Sequence, residues 1–141
     1  MWKLVFHPGS LSGPGNLAIL LLRLTAGILM LTHGVGKLHL LLGSEAINFP
    51  DPLGVGATAS LALAVFAELF CSLFLIFGLA TRLSVVPLII TMVVAAFIIH
   101  AGDAFKAKEL PLFYLTVYIA LGLTGAGRIS ADHFIYKKLN R

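Results

Sequence analysis

The sequence predicts an all-α integral membrane protein, an antiparallel bundle of four helices that each cross the bilayer. Its 141 residues are 59% hydrophobic and only 11% charged, whereas a soluble domain carries about 25% charged residues. The apolar residues form four long, continuous runs separated by segments rich in Gly, Pro and charge. Continuous runs favour helices, because the strands of a membrane barrel alternate polar and apolar residues. We expect one domain over residues 1–141.

The four apolar runs set the predicted spans. They cover about residues 17–38, 57–79, 83–100 and 110–125, close to the ~20 residues that cross the hydrocarbon core. Pro and Gly crowd the segment ahead of the first span, and Asn16 is its expected N-cap. The polar tail, residues 128–141, contains SADHFIYKKLNR, which is typical of an amphipathic helix at the membrane surface.

The distribution of Lys and Arg predicts the orientation. One side of the bundle has six of these residues and the other has three. The six are Lys3, Arg82, Arg128, Lys137, Lys138 and Arg141, and the three are Lys37, Lys106 and Lys108. The positive-inside rule then places both termini in the cytoplasm of a bacterium, with the protein in its inner membrane. The net charge of +4 suits anionic lipid and indicates no nucleic-acid partner.

Two charged residues lie inside predicted spans. Arg23 interrupts the first span and Glu68 the second, and a charge near the bilayer centre costs roughly 3 kcal/mol. An Arg23–Glu68 ion pair is the simplest arrangement that satisfies both. Such a pair either fixes helix packing or makes Glu68 a carboxylate that handles protons. Glu68 and Arg23 are therefore the best catalytic candidates.

The first span has one polar face with room for a close neighbour. Arg23, Met30 and Lys37 follow at seven-residue steps, which places them on one side of a helix. The small residues on or near that side are Ala26, Gly27 and Gly34. Small residues let another helix approach closely in a membrane, so this face is predicted to contact protein.

Polar side chains at the outer ends of the spans form a candidate binding pocket. His33, Lys37, His100 and Asp103 are its expected lining, although residues at span ends often only meet lipid headgroups. A quinone headgroup or a small anion would suit such a pocket. Haem b held by His33 and His100 and a metal held with Glu109 are alternatives, but no tight ligand motif is present. We expect no metal and no firmly bound cofactor.

Three further residues favour structural roles. Tyr114 and Tyr118 stand one turn apart on the fourth span, a pattern typical of an interfacial aromatic belt. Cys71 is the single cysteine, and a lone buried cysteine usually packs as a small apolar residue.

Four segments resemble the DoxX family of small bacterial four-span membrane proteins. They are LLRLTAGILMLTHGVGKL (21–38), FPDPLGVG (49–56), FAELFCSLFLIFGLATRLSVVPLIITMVVAAFIIH (66–100) and KELPLFYLTVYIALGLTGAGRIS (108–130). The family tends to have Gly-Pro-Gly before its basic tail, where this chain has Gly-Ala-Gly. The family's polar positions correspond to Arg23, His33, Lys37, Glu68, Arg82, His100 and Asp103.

The resemblance implies a link to membrane redox chemistry. Some relatives are small subunits of a thiosulfate:quinone oxidoreductase, and others belong to a complex that joins superoxide detoxification to thiol handling. The leading expectation is thus a subunit of a quinone-linked oxidoreductase system, without activity of its own, bound to lipids and to another subunit or a second copy. A non-enzymatic membrane scaffold or assembly factor is the alternative, and a small-solute permease is the third.

Overall fold

The computed structural model describes residues 5–140, and the regular structure in that range is helical. Four long helices are followed by a short one. They are α1 (Gly13–Leu42), α2 (Ala57–Phe77), α3 (Thr81–Ile99), α4 (Phe105–Thr124) and α5 (Ala131–Leu139). This confirms the all-α class, and the ends of α1 to α4 differ from those of the four predicted spans by no more than five residues. The greatest difference is at α4, whose first turn lies in the segment expected to be a connector.

The start of α1 differs from the sequence prediction. Ser12, in an extended conformation, is the N-cap, and Pro14 lies in the first turn, where a missing amide proton costs little. Asn16 is therefore inside the helix, and its assignment as the N-cap is wrong. Its buried side chain donates to the carbonyls of Leu11 (2.7 Å) and Ser12 (3.1 Å).

Two of the long helices contain a π-helical turn. In α2 the turn is Phe66–Cys71, and in α3 it is Ala95–Ile99. A π turn holds an extra residue, so it rotates the residues beyond it by about 100° relative to a regular helix. Such turns are frequent at functional sites. Here the turn in α3 lies at the end of the bundle that carries Lys37, and the turn in α2 lies near the middle of its helix and carries Glu68.

Three helices in the described range are long and apolar enough to cross a membrane, namely α1, α2 and α3. Helix α4 is not among these three, because the charged residues in its first turn lower the mean hydropathy of the helix. Large apolar side chains cover the outer surface of the bundle, among them Leu21, Ile28, Phe66, Phe74, Phe77, Ile90 and Phe97. A surface of this kind suits lipid rather than water, so the structure is that of a membrane helical bundle.

Glycine allows α1 and α2 to pack closely and antiparallel. A Cβ atom on Gly34 would lie 2.6 Å from the carbonyl carbon of Glu68, and one on Gly27 would lie 2.7 Å from Cγ1 of Ile76. Both glycines are buried. The predicted protein-facing side of α1 is thereby confirmed, and Arg23 and Met30 on it are also buried.

The interior of the bundle includes the two tyrosines of α4. Tyr114 and Tyr118 are buried, and their rings stack with centroids 5.8 Å apart. The fully buried residues around this core include Leu75, Leu88 and Leu121. The prediction of an interfacial belt is therefore wrong for both tyrosines, because their side of α4 faces α3 and the core rather than lipid.

We expect Gly34→Ala to lower the free energy of unfolding by about 1–3 kcal/mol, the usual cost of overpacking. The atoms that the new methyl group would meet belong to the backbone of α2, which cannot rotate away. Gly36→Ala is the matched control, because nothing lies within 4 Å of a Cβ atom there. It should stabilise α1 by roughly 0.5–1 kcal/mol. Unfolding in detergent would measure both, and equal effects would contradict the close contact at Gly34.

Candidate functional site

An ion pair between two helices lies at the centre of the candidate site. Lys37 of α1 donates through its Nζ atom to both carboxylate oxygens of Glu68 on α2. The Glu68 side chain is 3% exposed and that of Lys37 is 28% exposed. Gly34, one turn before Lys37, lets α1 approach the π turn that carries Glu68.

The predicted Arg23–Glu68 pair is wrong, and the packing register is the reason. A Cβ atom on Gly78 would lie 2.6 Å from Nη1 of Arg23, so Arg23 lies level with Gly78. Glu68 is ten residues earlier in α2, about 15 Å along the helix axis. The buried Arg23 guanidinium donates instead to the carbonyl of Ala126 and, at 2.8 Å, to that of Ile129.

Asp132 is a buried carboxylate at the same end as Arg23, and the sequence analysis gave it no role. It accepts from the backbone N–H groups of Ala80 (2.6 Å) and Thr81 (3.0 Å), and its own N–H donates to the carbonyl of Gly78 (2.9 Å). These bonds hold the turn between α2 and α3, where Ala80 has φ 46°. Burial raises the pKa of Asp132, while the amide donors and Arg23 oppose that change.

Sequence signals could not reveal this role of Asp132. An acidic residue just after Ser130, which caps α5 by accepting from the N–H of His133, indicates an ordinary helix start. The partners of Asp132 lie about fifty residues earlier in the chain. Arg23 and Asp132 together therefore form a structural centre at what we call the Asp132 end, and neither belongs to the cavities at the Lys37 end.

The remaining predicted site residues gather at the Lys37 end. His100 ends α3 and its Nδ1 atom lies 2.7 Å from Oδ2 of Asp103. His33 is exposed and, like His100, lines a cavity beside the Lys37–Glu68 pair. Asp103 lines neither of these two cavities, and its carboxylate contacts His100. The structure thus brings together four of the six candidates, and Asp103 contacts one of them.

The larger of two cavities has a volume of about 470 Å³. Its walls are mostly apolar and come from α2, α3 and the connector before α2. The connector contributes four residues that the sequence analysis did not assign to a site: Phe49, Pro50, Pro52 and Leu53. The polar end of the cavity is formed by Lys37, Glu68 and His100. This combination suits an apolar ring with hydrogen-bonding groups at one edge.

The smaller cavity has a volume of about 250 Å³ and lies on the other side of the same ion pair. Residues of α1, α3 and α4 line it, including Met30, His33, Met92, Pro111 and Tyr114. Lys37, Glu68 and His100 line both cavities. These three side chains therefore form the boundary between an apolar compartment and a more polar one.

Asp51 folds the connector into the roof of the larger cavity. Its carboxylate accepts from the N–H groups of Val55 (3.0 Å) and Gly56 (2.7 Å) and from the hydroxyl of Ser60 (2.7 Å). The Ser60 hydrogen bond and these amides hold the pKa of Asp51 below its ordinary value. Gly54 and Gly56 have positive φ values of 69° and 96°, a conformation that glycine adopts without strain.

The chemistry available at the site is proton transfer and hydrogen bonding. Among residues 5–140, no three His, Cys, Asp or Glu side chains cluster as a metal site requires. Lys37 already donates to both carboxylate oxygens of Glu68, so its ammonium group faces that side chain first. Hydrogen-bond donors at the end of an apolar cavity remain, and they favour a neutral, carbonyl-bearing ligand.

We expect Lys37→Met to cost about 3–5 kcal/mol of unfolding free energy, because it leaves Glu68 buried without its partner. The double variant Lys37→Met, Glu68→Gln should recover much of that loss, since no charge is then buried. Lys106→Met, at an exposed lysine of α4, is the control and should change stability little. Chemical unfolding in detergent measures all three. If Lys37→Met were as stable as the Lys106→Met control, that result would contradict the Lys37–Glu68 pairing.

We expect the connector to loosen in acid. Because the pKa of Asp51 is depressed in the folded protein, its stabilising contribution is present above the ordinary carboxyl pKa of about 3.9 and is lost as the pH falls below that. Amide hydrogen exchange at Val55 and Gly56, corrected for the intrinsic rate, should accelerate there. In the Asp51→Asn variant, hydrogen exchange at these two amides should already be fast at neutral pH. Glu45→Gln, in the same connector, should behave as wild type, and an unchanged Asp51→Asn would refute this role.

Comparison with known proteins agrees with this architecture. The DoxX family profile matches residues 18–101, well over half of the chain. An uncharacterised Haemophilus influenzae protein is 35% identical over 95 residues, 64% of this chain and 63% of that relative, so the match spans less than two thirds of its length. A Bacillus subtilis protein named "Putative oxidoreductase CatD" is 30% identical over 123 residues, 86% of this chain and 90% of that relative. No solved structure matches significantly. The chain belongs to the DoxX family.

Proposed function

We propose that this protein is a small membrane subunit of a quinone-linked oxidoreductase system and that a quinone ring binds in the larger cavity. The observation that carries the proposal is the shape and chemistry of that cavity: apolar walls with Lys37, Glu68 and His100 at one end. Family membership supports an association with membrane oxidoreductases, as does similarity to a relative named for that activity. A bound quinone would itself carry two electrons and two protons when it is reduced to a quinol.

The cavity fits this ligand in size and in polarity. A volume of about 470 Å³ is within the ~300–1,000 Å³ typical of small-molecule sites. Lys37 and the second ring nitrogen of His100 are donors for ligand carbonyl oxygens, since Nδ1 of His100 already contacts Asp103. The hydroxyls of Ser60 and Thr91 are engaged by Asp51 and by the carbonyl of Pro87, so they contribute less.

The electrons must reach the cavity from elsewhere. We propose that a partner protein supplies them, from a sulfur-containing reductant or a thiol system, and that this chain holds the quinone and its protons. Arg23 has no part in this, because it donates to backbone carbonyls at the Asp132 end. His33 and Asp103 act around the site, His33 in the smaller cavity and Asp103 by orienting His100.

We also propose that α4 crosses the bacterial inner membrane with α1 to α3 and that both termini are cytoplasmic. Within residues 5–140 the exposed cations at the Asp132 end are Arg128, Lys137 and Lys138, while Lys3 and Arg141 lie outside the described residues. They support this orientation through the positive-inside rule. The cavities would then lie toward the outer leaflet. The apolar outer faces of the helices leave room for lipids and for a partner subunit or a second copy.

Native mass spectrometry with lipid extraction tests the function on protein purified gently from its own membrane, with a visible spectrum recorded in parallel. We expect about one quinone per chain in the wild type. His100→Ala, Glu68→Gln and Ala64→Phe, which fills the larger cavity, should lose it. His39→Ala is the matched histidine control, because His39 is exposed and lines neither cavity.

Each outcome separates the candidate functions. A quinone that survives Ala64→Phe and His100→Ala would overturn the assignment of the larger cavity. A chain that carries only phospholipid, or only another protein, would overturn quinone binding and favour a scaffold. A Soret band would show haem instead. Thermal unfolding of each variant distinguishes loss of ligand from loss of fold.

A further inference from the structure

We infer that the smaller cavity is a water-filled vestibule through which Glu68 exchanges protons with the aqueous phase at the Lys37 end. The cavity, about 250 Å³ in volume, touches Glu68 on one side and His33 and His100 on the other. It is separate from the larger, apolar cavity except at Lys37, Glu68, His100 and a shared wall residue, Ala95. Ligand and water would therefore approach the same carboxylate from different compartments.

Side-chain exposure increases stepwise from the buried core toward that end. Tyr118 is 0% exposed. Along the polar residues the exposed fraction of the side chain is 3% for Glu68, 28% for Lys37, 36% for His100 and 55% for Asp103. The three of these groups that line the vestibule, Glu68, Lys37 and His100, thus connect the buried carboxylate with the exposed end of the bundle.

Each helix that packs against Glu68 presents a titratable group to it or to the vestibule. Helix α1 contributes Lys37 and His33, and α3 contributes His100. Helix α4 contributes Tyr114, which lines the vestibule, and carries the buried Tyr118 hydroxyl one turn farther along the helix. That hydroxyl is buried and has no hydrogen-bond partner within residues 5–140. A water molecule at the inner end of the vestibule, beside Tyr114, would satisfy it.

The ion pair makes the proton movement electrostatically reasonable. When Glu68 takes up a proton, Lys37 keeps its positive charge, and its partial exposure lets water stabilise that charge. The proton then sits on a carboxyl oxygen that also borders the larger cavity.

The physiological meaning of the vestibule rests on the proposed function. Reduction of a quinone to a quinol takes two electrons, supplied by a redox centre of the partner, and two protons. The two protons form the two new O–H bonds. Protons that arrive through the vestibule would complete this balance without water entering the apolar cavity.

Cysteine labelling tests water access, because Cys71 is the only cysteine in the chain. In a Cys71→Ser background, Ala107→Cys and Tyr114→Cys place a thiol in the vestibule, and Phe113→Cys places one on the exposed outer face of α4. A membrane-impermeant methanethiosulfonate should modify the vestibule thiols at least about tenfold faster than the control, because only the hydrated thiolate reacts. Modification should occur from the Lys37 side of sealed vesicles only.

Infrared spectroscopy of quinone-free protein tests the proton itself. A carboxyl band that is missing in Glu68→Gln should respond to a pH jump applied on the Lys37 side, and labelling Ala107→Cys should slow that response severalfold. Equal labelling of Ala107→Cys and Phe113→Cys, or a Glu68 response unaffected by the label, would overturn the vestibule. Because these measurements use quinone-free protein, a negative result would overturn the vestibule but not quinone binding. Equally, an absence of bound quinone would not overturn the vestibule.

Discussion

The burial of Glu68 against Lys37 is the constraint on which the rest of this end of the bundle depends. A carboxylate placed among apolar helices needs a counter-ion within contact distance, and α1 can supply one only if it lies directly on α2. Gly34 permits that approach, and the π turn Phe66–Cys71 presents Glu68 to it. Both cavities are lined by the pair, so helix packing and site chemistry depend on the same two residues.

The two ends of the molecule use buried charge differently. At the Asp132 end, Arg23 and Asp132 bond almost entirely to backbone groups, so their charges fix a turn and the course of the chain. At the Lys37 end, side chains bond to side chains, and some donors remain free toward cavities. Backbone partners cannot change protonation, whereas side-chain partners can. This contrast is the physical reason to place function at one end and structural support at the other.

Much of the fold follows from local patterns, and much of the site does not. The apolar runs predicted the helices, and the seven-residue spacing of Arg23, Met30 and Lys37 predicted the buried face of α1, because both depend on residues close in sequence. The partner of Glu68 depended on how far α2 slides along α1, which no local pattern encodes. The π turns, the roof formed by Phe49 to Leu53 and the backbone partners of Asp132 are likewise set by contacts between distant segments.

The hydrogen bonds of Asp132 have a consequence for how the protein is made. The turn between α2 and α3 receives its carboxylate from α5, which follows it by about fifty residues. Synthesis proceeds from the N-terminus, so α2 and α3 are made before the residue that secures the turn between them. Removal of α5 would therefore leave this turn without the carboxylate that accepts its two amide hydrogen bonds.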